Sequence, residues 1–514
     1  MDYLDYVQMT KGQRIAYKIK SFFRGIPGAV GNFFRLIGLF IKKFFMWIGN
    51  GFKGYGSRFA KGDIGTKLSY IIMGAGSMFH RQIAKGLIFL ATEIAYIYFM
   101  FSFGVGYISK LYCMNVKTTA TVDGQPIDVF VDGCIGQEAL QKVEDDWGTQ
   151  TIVNPDTYDD SNRILLFAVL SLIITVAFFA VYIANTKSAY ATQMTLKEGK
   201  KPLNFIAEMK TFLDERFHIT LLTLPVLLLC TFTILPIIFT IFMAFTNYNE
   251  KHLPPGRFYW WVGFSNFADV FYSNPQKSET FGRILVWTLI WAFFATFSNY
   301  IFGIILALLI NKKGIKFKGF WRTMFVITAA VPQFVTLLIM RLLLDKDNGL
   351  NAMFGTHYPF LDDGMWAKVM IIIVNMWVGI PYTMLISSGL LMNIPEDLYE
   401  SARIDGANAV QQFTKITFPY IFFVTTPYLI TTFVGNINNF NVIYLLTGGG
   451  PSATNYYAAG ETDLLVTWLY KLTKDSKDYN LSAVIGIIVF IICALGSLIT
   501  FNMSKASKNE EEFS

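Results

Sequence analysis

The stretch YESARIDGANAVQQFTKITFP (399–419) lies between two long apolar runs and carries Glu400, Arg403, Asp405 and Lys415. Charged and amide side chains at this density cannot lie in hydrocarbon, because buried polar groups lose their water partners there. The segment must therefore project into water or against another protein. What surrounds it decides the fold, and what it contacts decides the function.

The segment 393–419 predicts a polar helical hairpin. Pro395, followed by two carboxylates, favours a first helix with proline in its first turn and acidic residues near its positive end. Gly406 supplies a turn, and 407–417 is expected to form a second short helix that ends before Pro419. Small residues near the turn suit a place that another surface approaches closely.

The apolar runs outside the hairpin indicate a polytopic membrane protein. Of the 514 residues, 53% are hydrophobic and 15% are charged, whereas soluble domains carry roughly 25% charged residues. A helix needs about 20 apolar residues to cross a bilayer. Runs of this kind predict an all-α fold with about eight transmembrane helices, at about 86–109, 164–184, 219–246, 284–310, 323–343, 369–391, 420–446 and 481–502.

Loop charge predicts the orientation. The loop NKKGIKFKGFWR (311–322) and the chain before residue 85 are basic, whereas the loop 110–161 is acidic. The excess of Lys and Arg in cytoplasmic loops places both termini and the hairpin in the cytoplasm and the acidic loop outside. No cleavable signal peptide is expected, so the first membrane helix would serve as the insertion signal.

The N-terminal region 1–84 is predicted to be a basic, amphipathic cytoplasmic region. Its segment 33–49 places apolar residues at helical spacing between three cations, which is typical of a helix lying on anionic lipid. A ninth, poorly hydrophobic span is the alternative. The segment 85–218 is then an additional transmembrane hairpin with the acidic external loop.

Cysteine and histidine spacing indicates no metal site and no cofactor. The external cysteines Cys113 and Cys134 form either a disulfide or two free thiols. No G-x-x-x-x-G-K-[ST] motif occurs, and no nucleophile lies beside a base, so the chain is not expected to be an enzyme or to hydrolyse ATP itself. TGGGP (447–451) is external and is expected to form a conformational turn. No nucleic-acid partner is expected.

The pattern E-S-A-x3-G-x9-I-T-F-P (400–419) resembles the EAA loop, E-A-A-x3-G-x9-I-x-L-P, of ABC importer permeases. Ser401 and Phe418 depart mildly from the alanine and leucine of the family pattern. In that family the loop fits a cleft on a cytoplasmic ATPase. The resemblance implies an ATPase-coupling role for Glu400, Ser401, Ala402, Asp405 and Gly406.

Further segments, from about residue 219 to the end, are similar to permeases of the maltose and maltodextrin importers. They are WVGFSNF (261–267), VNMWVGIPY (374–382), NFNVIYLLTGGGP (439–451) and AAGETDLLVTWLY (458–470). The resemblance implies a type I ABC importer transmembrane domain over 219–514, with the coupling hairpin at 393–419. The enterobacterial relative has a large external domain after its third span, which is absent here. This difference favours a single-membrane bacterium with a lipid-anchored binding protein.

Four asparagines in NINNFN (436–441) lie within an apolar span. They predict either hydrogen bonds between helices or a polar site for sugar hydroxyls, with Tyr382 as a stacking face. Gly435, which stands where the relative has an aromatic residue, permits local unwinding. The resemblance implies a substrate-binding role for Gly379, Tyr382, Thr432, Asn436 and Asn439.

These observations predict a permease that translocates an oligosaccharide, maltose or maltodextrin, by alternating access. Its implied partners are a second homologous permease, a cytoplasmic ATPase dimer, an extracellular lipid-anchored sugar-binding protein and membrane lipid. The alternatives are another oligosaccharide or a monosaccharide, an ion-coupled secondary transporter and a membrane glycosyltransferase. An ion-coupled transporter needs intramembrane carboxylates, and only Glu93 lies well inside a span; a helix-packing or snorkelling role is expected for it.

Overall fold

The computed structural model describes residues 49–503 apart from 115–116, 123–124, 131–139, 146–147, 154–158, 255–258 and 313, together with 35, 38–39, 42–43 and 45–46. Contacts divide this part of the chain into two compact units. The N-terminal unit consists of Leu39–Asn266 and Asp478–Ala483. The C-terminal unit consists of Phe267–Lys477 and the chain from Val484 onward.

Helices form most of the N-terminal unit. They are residues 49–61, Ile64–Leu68, Ala75–Phe79, Ile83–Phe99, Val105–Cys113, Ser161–Lys197, Phe205–Thr211, Phe217–Leu229 and Leu235–Met243. Two π-helical turns, Met100–Gly104 and Cys230–Ile234, join consecutive helices, and a 3₁₀ turn covers Glu250–His252.

The C-terminal unit is also built from helices. They are Pro275–Asn311, Lys318–Ala330, Gln333–Leu343, Gly349–Phe354, Gly364–Leu391, Glu396–Ile404, Ala409–Gln412, Phe418–Ile437, Phe440–Leu446 and Leu465–Lys474, with π-helical turns at Asp269–Ser273 and Phe413–Thr417. The helices Ser265–Ala268 and Tyr479–Met503 each include residues of both units.

Seven helical segments of the described chain are long and apolar enough to cross a membrane. A bent pair of helices makes an eighth span if its two halves cross together. The predicted all-α membrane fold with about eight spans is therefore confirmed. The seven are Ile83–Tyr112, Ser161–Lys197, Phe217–Met243, Pro275–Asn311, Gly364–Leu391, Ala409–Ile437 and Tyr479–Leu498.

The predicted span 323–343 contains a bend that the hydropathy pattern did not predict. Its two helical parts, Lys318–Thr328 and Gln333–Leu343, meet at an angle of 81°. Pro332 causes the break, because it lacks a backbone N–H and disfavours the helical conformation of the residue before it. Val331 accordingly has an extended backbone with ψ 129°.

The predicted span 420–446 also contains a break. The helix ends at Ile437, and a second helix, Phe440–Leu446, begins after Asn439. The Asn439 side chain accepts a hydrogen bond from the Val442 N–H at 3.3 Å, so it caps the second helix. The expected unwinding beside Gly435 does not occur there, because Gly435 is helical.

The second helix of the hairpin does not end before Pro419, contrary to the prediction. The chain is helical from Ala409 to Ile437 without a gap. Proline in a helix interior removes one backbone hydrogen bond, and the π-helical turn Phe413–Thr417 directly precedes the turn that holds Pro419. The second helix of the hairpin and the following span are therefore one continuous helix.

Two antiparallel β-hairpins lie in the acidic loop 110–161, where the sequence predicted only a loop. They pair Lys117–Val122 with Gln125–Phe130 and Leu140–Asp145 with Gly148–Val153. Cys134 lies outside the described residues, so the disulfide with Cys113 stays a prediction. Most of the predicted amphipathic segment 33–49 also lies outside them.

Polar contacts hold residues 63–82 of the N-terminal unit against the Ser161–Lys197 helix. Asn185 accepts a hydrogen bond from the Gly74 N–H at 3.0 Å and donates one to the Ser69 carbonyl at 3.1 Å. Glu93 accepts a hydrogen bond from the Met73 N–H at 2.8 Å. Glu93 is therefore a packing partner within the unit, as expected.

The core of the C-terminal unit forms around the Pro275–Asn311 helix, which packs against Gly364–Leu391 and Phe418–Ile437. Trp291 is fully buried there and donates its indole N–H to the Asn436 carbonyl at 3.0 Å. Trp287 donates to the Thr462 carbonyl at 3.1 Å. Both indoles thus pair with distant backbone, as buried tryptophans usually do.

Candidate functional site

Three helices of the C-terminal unit enclose a cavity of about 350 Å³. The helices are Pro275–Asn311, Gly364–Leu391 and Phe418–Ile437. Amide, hydroxyl, aromatic and aliphatic side chains form its wall, and no ionisable acid or base other than tyrosine is among them. The lining residues are Thr296, Asn299, Tyr300, Val378, Gly379, Tyr382, Thr383, Tyr428, Leu429, Thr432 and Asn436.

Asn436 is the centre of a hydrogen-bond network beside the cavity. Its amide donates to Thr296 Oγ1 at 3.0 Å, and its Oδ1 accepts from the Asn439 amide at 3.3 Å. The Thr296 contact crosses from one helix to another, so Asn436 both joins helices and faces the cavity. The two interpretations of the asparagines are therefore compatible.

Two tyrosines give the cavity an aromatic wall. The Tyr382 and Tyr428 ring centroids lie 6.4 Å apart with an interplanar angle of 40°. Tyr382 is 54% exposed although it lies within a membrane-spanning helix. More than half of this side chain is therefore left uncovered by the described chain.

Four of the five predicted substrate residues, Gly379, Tyr382, Thr432 and Asn436, line this one cavity. Asn439 does not line it but is bonded to Asn436. Thr296, Asn299 and Tyr300 of the Pro275–Asn311 helix also line the cavity and were not predicted from the sequence. Their i, i+3, i+4 spacing places them on one helix face, which was the available signal.

The hairpin presents a mixed face. Glu400, Ser401, Asp405 and Gly406 are exposed and Ala402 is half-buried. Apolar side chains beside them are exposed as well, namely Leu398, Ile404 and Val410, with Ile404 86% exposed. Such apolar exposure on a polar hairpin is typical of a docking surface.

Local bonds make the hairpin rigid. Gly406 has φ +76°, so it forms the turn in a conformation that favours glycine. Asn408 and Gln411 form a reciprocal capping box at the start of the second helix. The Tyr399 and Thr417 hydroxyls pair at 2.8 Å across the hairpin.

A buried ion pair orders the segment between Phe440–Leu446 and Tyr479–Met503. Asp463 is fully buried, and its Oδ2 lies 2.6 Å from Lys471 Nζ and accepts from the Gly460 N–H at 2.7 Å. Burial raises the pKa of Asp463, and the Lys471 charge opposes that effect. The TGGGP turn packs here: Gly449 has φ +82°, and a Cβ on it would lie 2.0 Å from Asp463 Oδ1. The expected conformational turn is confirmed.

Comparisons with known proteins identify the family. Residues 299–508 match the family described as "Binding-protein-dependent transport system inner membrane component". The galactooligosaccharides transport system permease protein GanP of Bacillus subtilis is 37% identical over 71% of this chain and 88% of its own length. The maltodextrin transport system permease protein MdxF of the same organism is 33% identical over 86% of this chain and 95% of its own length.

A solved structure also matches part of the chain. The crystal structure of a bacterial ABC transporter involved in the import of the acidic polysaccharide alginate covers 58% of this chain and 98% of its own, with 24% identity and a TM-score of 0.46. The two permease relatives cover most of this chain and most of their own lengths. The chain is therefore a multi-pass permease subunit that belongs to the binding-protein-dependent ABC importer family, among the permeases of carbohydrate transport systems.

Proposed function

We propose that this permease translocates an oligosaccharide of the maltodextrin class through the cavity between its three central helices. The observation that carries the proposal is the chemistry of the cavity wall, which combines amides, hydroxyls and three tyrosine rings. Its volume of about 350 Å³ lies within the range of roughly 300–1,000 Å³ typical of ligand pockets. Hydroxyl-rich rings need this combination of hydrogen-bond partners and flat apolar faces.

The absence of lining acids and bases, apart from tyrosine, favours a neutral substrate over an ion. Glu93 belongs to the N-terminal unit and binds a backbone N–H there, so it supplies no carboxylate to this cavity. Ionisable side chains inside a membrane mark ion pathways and proton relays, and the described wall of this cavity has none apart from tyrosine. A neutral, polyhydroxylated ligand fits the wall better.

The proposed substrate contacts are Gly379, Tyr382, Thr432, Asn436 and Asn439. The proposed ATPase contacts are Glu400, Ser401, Ala402, Asp405 and Gly406, and their exposure on a rigid hairpin supports this role. A separate ATPase dimer would then supply the energy, since the chain itself carries no phosphate-binding motif. A second, homologous permease would complete the transport pathway.

The proposal extends to topology and domain organisation. Both termini and region 1–84 would lie in the cytoplasm, 85–218 would form the additional hairpin, and 219–514 would be the permease core. In a single-membrane bacterium, a lipid-anchored binding protein would deliver the sugar from outside. The basic loop 311–322 supports this orientation.

The test is uptake by proteoliposomes that contain the permease with its partner permease, ATPase and binding protein. Labelled maltotriose and a β-linked galactotriose should be compared, because the curated relatives include permeases named for both sugar classes. Maltotriose uptake that depends on ATP supports the maltodextrin class. Uptake of galactotriose alone favours the second candidate, a galactooligosaccharide permease, and uptake of neither contradicts the proposal.

Tyr382→Ala should lower maltotriose uptake about tenfold. The substitution removes an exposed ring from the cavity wall, and loss of an aromatic contact of about 1.4 kcal/mol corresponds to a factor of ten. Tyr382→Phe is the matched control, because it keeps the ring and should retain most of the uptake. Assembly of both variants should be measured by co-purification of the complex. An equal loss in both variants would point to the hydroxyl instead of the ring.

A further inference from the structure

Two asparagines of the described chain line the cavity, and only the amide oxygen of Asn299 is buried without a hydrogen-bond partner. Its Nδ2 donates to the Ala295 carbonyl at 2.8 Å, one helical turn earlier. That bond fixes which end of the amide is nitrogen, so Oδ1 is the end left to accept a hydrogen bond. A buried acceptor without a donor is unfavourable by about 1–3 kcal/mol, which favours any arrangement that brings a donor to it.

Two other membrane asparagines of the unit have a partner for their amide oxygen, although the Asn375 amide nitrogen is also buried without a partner in the described chain. Asn436 Oδ1 accepts from the Asn439 amide at 3.3 Å, and Asn311 Oδ1 accepts from Arg322 Nη2 at 3.0 Å. Asn311 also donates to the carbonyl one turn earlier, that of Ala307, at 2.8 Å. Asn311 and Asn299 therefore both donate to the carbonyl one turn earlier. The amide oxygen of Asn311, outside the cavity, has a hydrogen-bond donor, whereas that of Asn299, beside the cavity, has none.

Gly379 explains how the Asn299 amide fits where it does. A Cβ on Gly379 would lie 2.2 Å from Asn299 Nδ2 and 3.0 Å from Oδ1. Any side chain at 379 would therefore displace the amide. Gly379 and Asn299 lie on different helices, and both line the cavity.

We propose that Asn299 is a specificity-determining residue whose Oδ1 accepts a hydrogen bond from one hydroxyl of the transported sugar, and that Gly379 makes room for it. This inference rests on the proposed function of the cavity. The oxygen is covered in the present structure, but the terminal torsion of asparagine is soft. The proposal requires a rotation about this torsion that gives up the hydrogen bond to the Ala295 carbonyl and brings Oδ1 into the cavity, where a sugar hydroxyl donates to it.

The role of Gly379 changes accordingly. The family resemblance implies that Gly379 contacts the substrate, but a glycine can offer a sugar only its backbone. Here its missing side chain admits the Asn299 amide to the cavity wall. Gly379→Ala should therefore reproduce the effect of losing Asn299, although it leaves the asparagine in the chain.

The experiment is a double-mutant cycle between the protein and the sugar in proteoliposomes that hold the complete transporter. Uptake of maltotriose and of its monodeoxy analogues is measured for the native chain, Asn299→Leu and Gly379→Ala. With the native chain, one analogue should be taken up about 5- to 10-fold more slowly, which corresponds to one hydrogen bond. Both variants should slow maltotriose uptake by the same factor, with no further loss for that analogue.

Asn438→Leu is the matched control. Asn438 also donates to a carbonyl one turn earlier, that of Val434, at 3.3 Å, but it does not line this cavity. Its variant should show the native preference among the analogues. Complex yield is measured throughout, and Gly379→Ala tests the contact with the asparagine retained if Asn299→Leu assembles poorly.

The outcomes separate the two proposals. Suppose that the native complex takes up oligosaccharide, and that the fold reduction in uptake caused by Asn299→Leu multiplies with the fold reduction caused by every deoxy analogue. Asn299 is then a packing residue, and the inference is overturned. If the native complex takes up no oligosaccharide, the proposed function fails and this inference fails with it. If one deoxy analogue causes no further loss of uptake in the Asn299→Leu variant, both the proposed function and this inference are supported.

Discussion

Gly406→Trp should abolish ATP-driven uptake, with a loss of at least about 100-fold, while the complex remains in the membrane. Gly406 is exposed at the tip of the hairpin, and a Cβ there would meet no other atom of the described residues within 4 Å. The bulk of tryptophan therefore obstructs only a partner that approaches the turn. Loss of about 3 kcal/mol at the centre of an interface corresponds to roughly 100-fold weaker association.

Gly406→Ala is the matched control for backbone strain. The backbone at position 406 has φ +76°, and this conformation is unfavourable for alanine and tryptophan alike by about 1–2 kcal/mol. Alanine adds almost no bulk, so its variant should transport near the native rate. Uptake, ATPase activity and co-purification of the ATPase should be measured together. Equal losses in both variants would assign the effect to the turn conformation, and normal uptake in the tryptophan variant would contradict docking at this site.

Lys471→Met should destabilise the permease by about 3–5 kcal/mol, because it removes the countercharge of a carboxylate that is fully buried. Methionine keeps most of the apolar volume of lysine, so the effect reports the lost charge. Thermal unfolding of the purified protein in detergent measures the change. Asp463→Asn combined with Lys471→Met is the control, and it should recover a large part of the loss because no unpaired charge remains.

The loss of stability caused by Lys471→Met should depend on pH. Burial raises the pKa of Asp463 above its ordinary value of 3.8 in the folded chain. For a raised pKa, the stabilising contribution is complete below the unfolded pKa and is lost as pH rises through the folded pKa. Without Lys471 the folded pKa rises further, so acidification from pH 7 towards pH 4 should recover stability in the variant more than in the native protein. A loss that stays constant over this range would contradict the ion-pair explanation.

Apolar length and loop composition predicted the spans and the hairpin well. Runs of about 20 apolar residues report where a helix can cross a bilayer, and the EAA-like spacing identified the family that the comparisons confirm. Hydropathy carries no information on the direction of a helix axis, so the 81° bend was missed. The signal for it was Pro332 within an apolar run.

The candidate site was predicted only in part, for a related reason. The residues on Gly364–Leu391 and Phe418–Ile437 came from the family resemblance, and their roles stay predictions. Thr296 and Asn299 belong to an earlier helix, and Thr296 meets Asn436 across 140 positions. The i, i+3, i+4 spacing of the residues on that helix indicated a shared face, but a local sequence window does not show which distant residues that face meets.

The continuous helix from Ala409 to Ile437 also connects the hairpin directly to the cavity wall. Its 29 residues span about 43 Å at 1.5 Å per residue. One end begins just after the turn of the hairpin, and the other carries Thr432 and Asn436 of the cavity wall. If the proposed ATPase docks at the hairpin, a displacement there would reach the cavity through one helical segment that contains no loop. The π-helical turn Phe413–Thr417 and Pro427 are the points where this segment can bend. Tilting of the segment would then move the side of the cavity that carries Thr432 and Asn436.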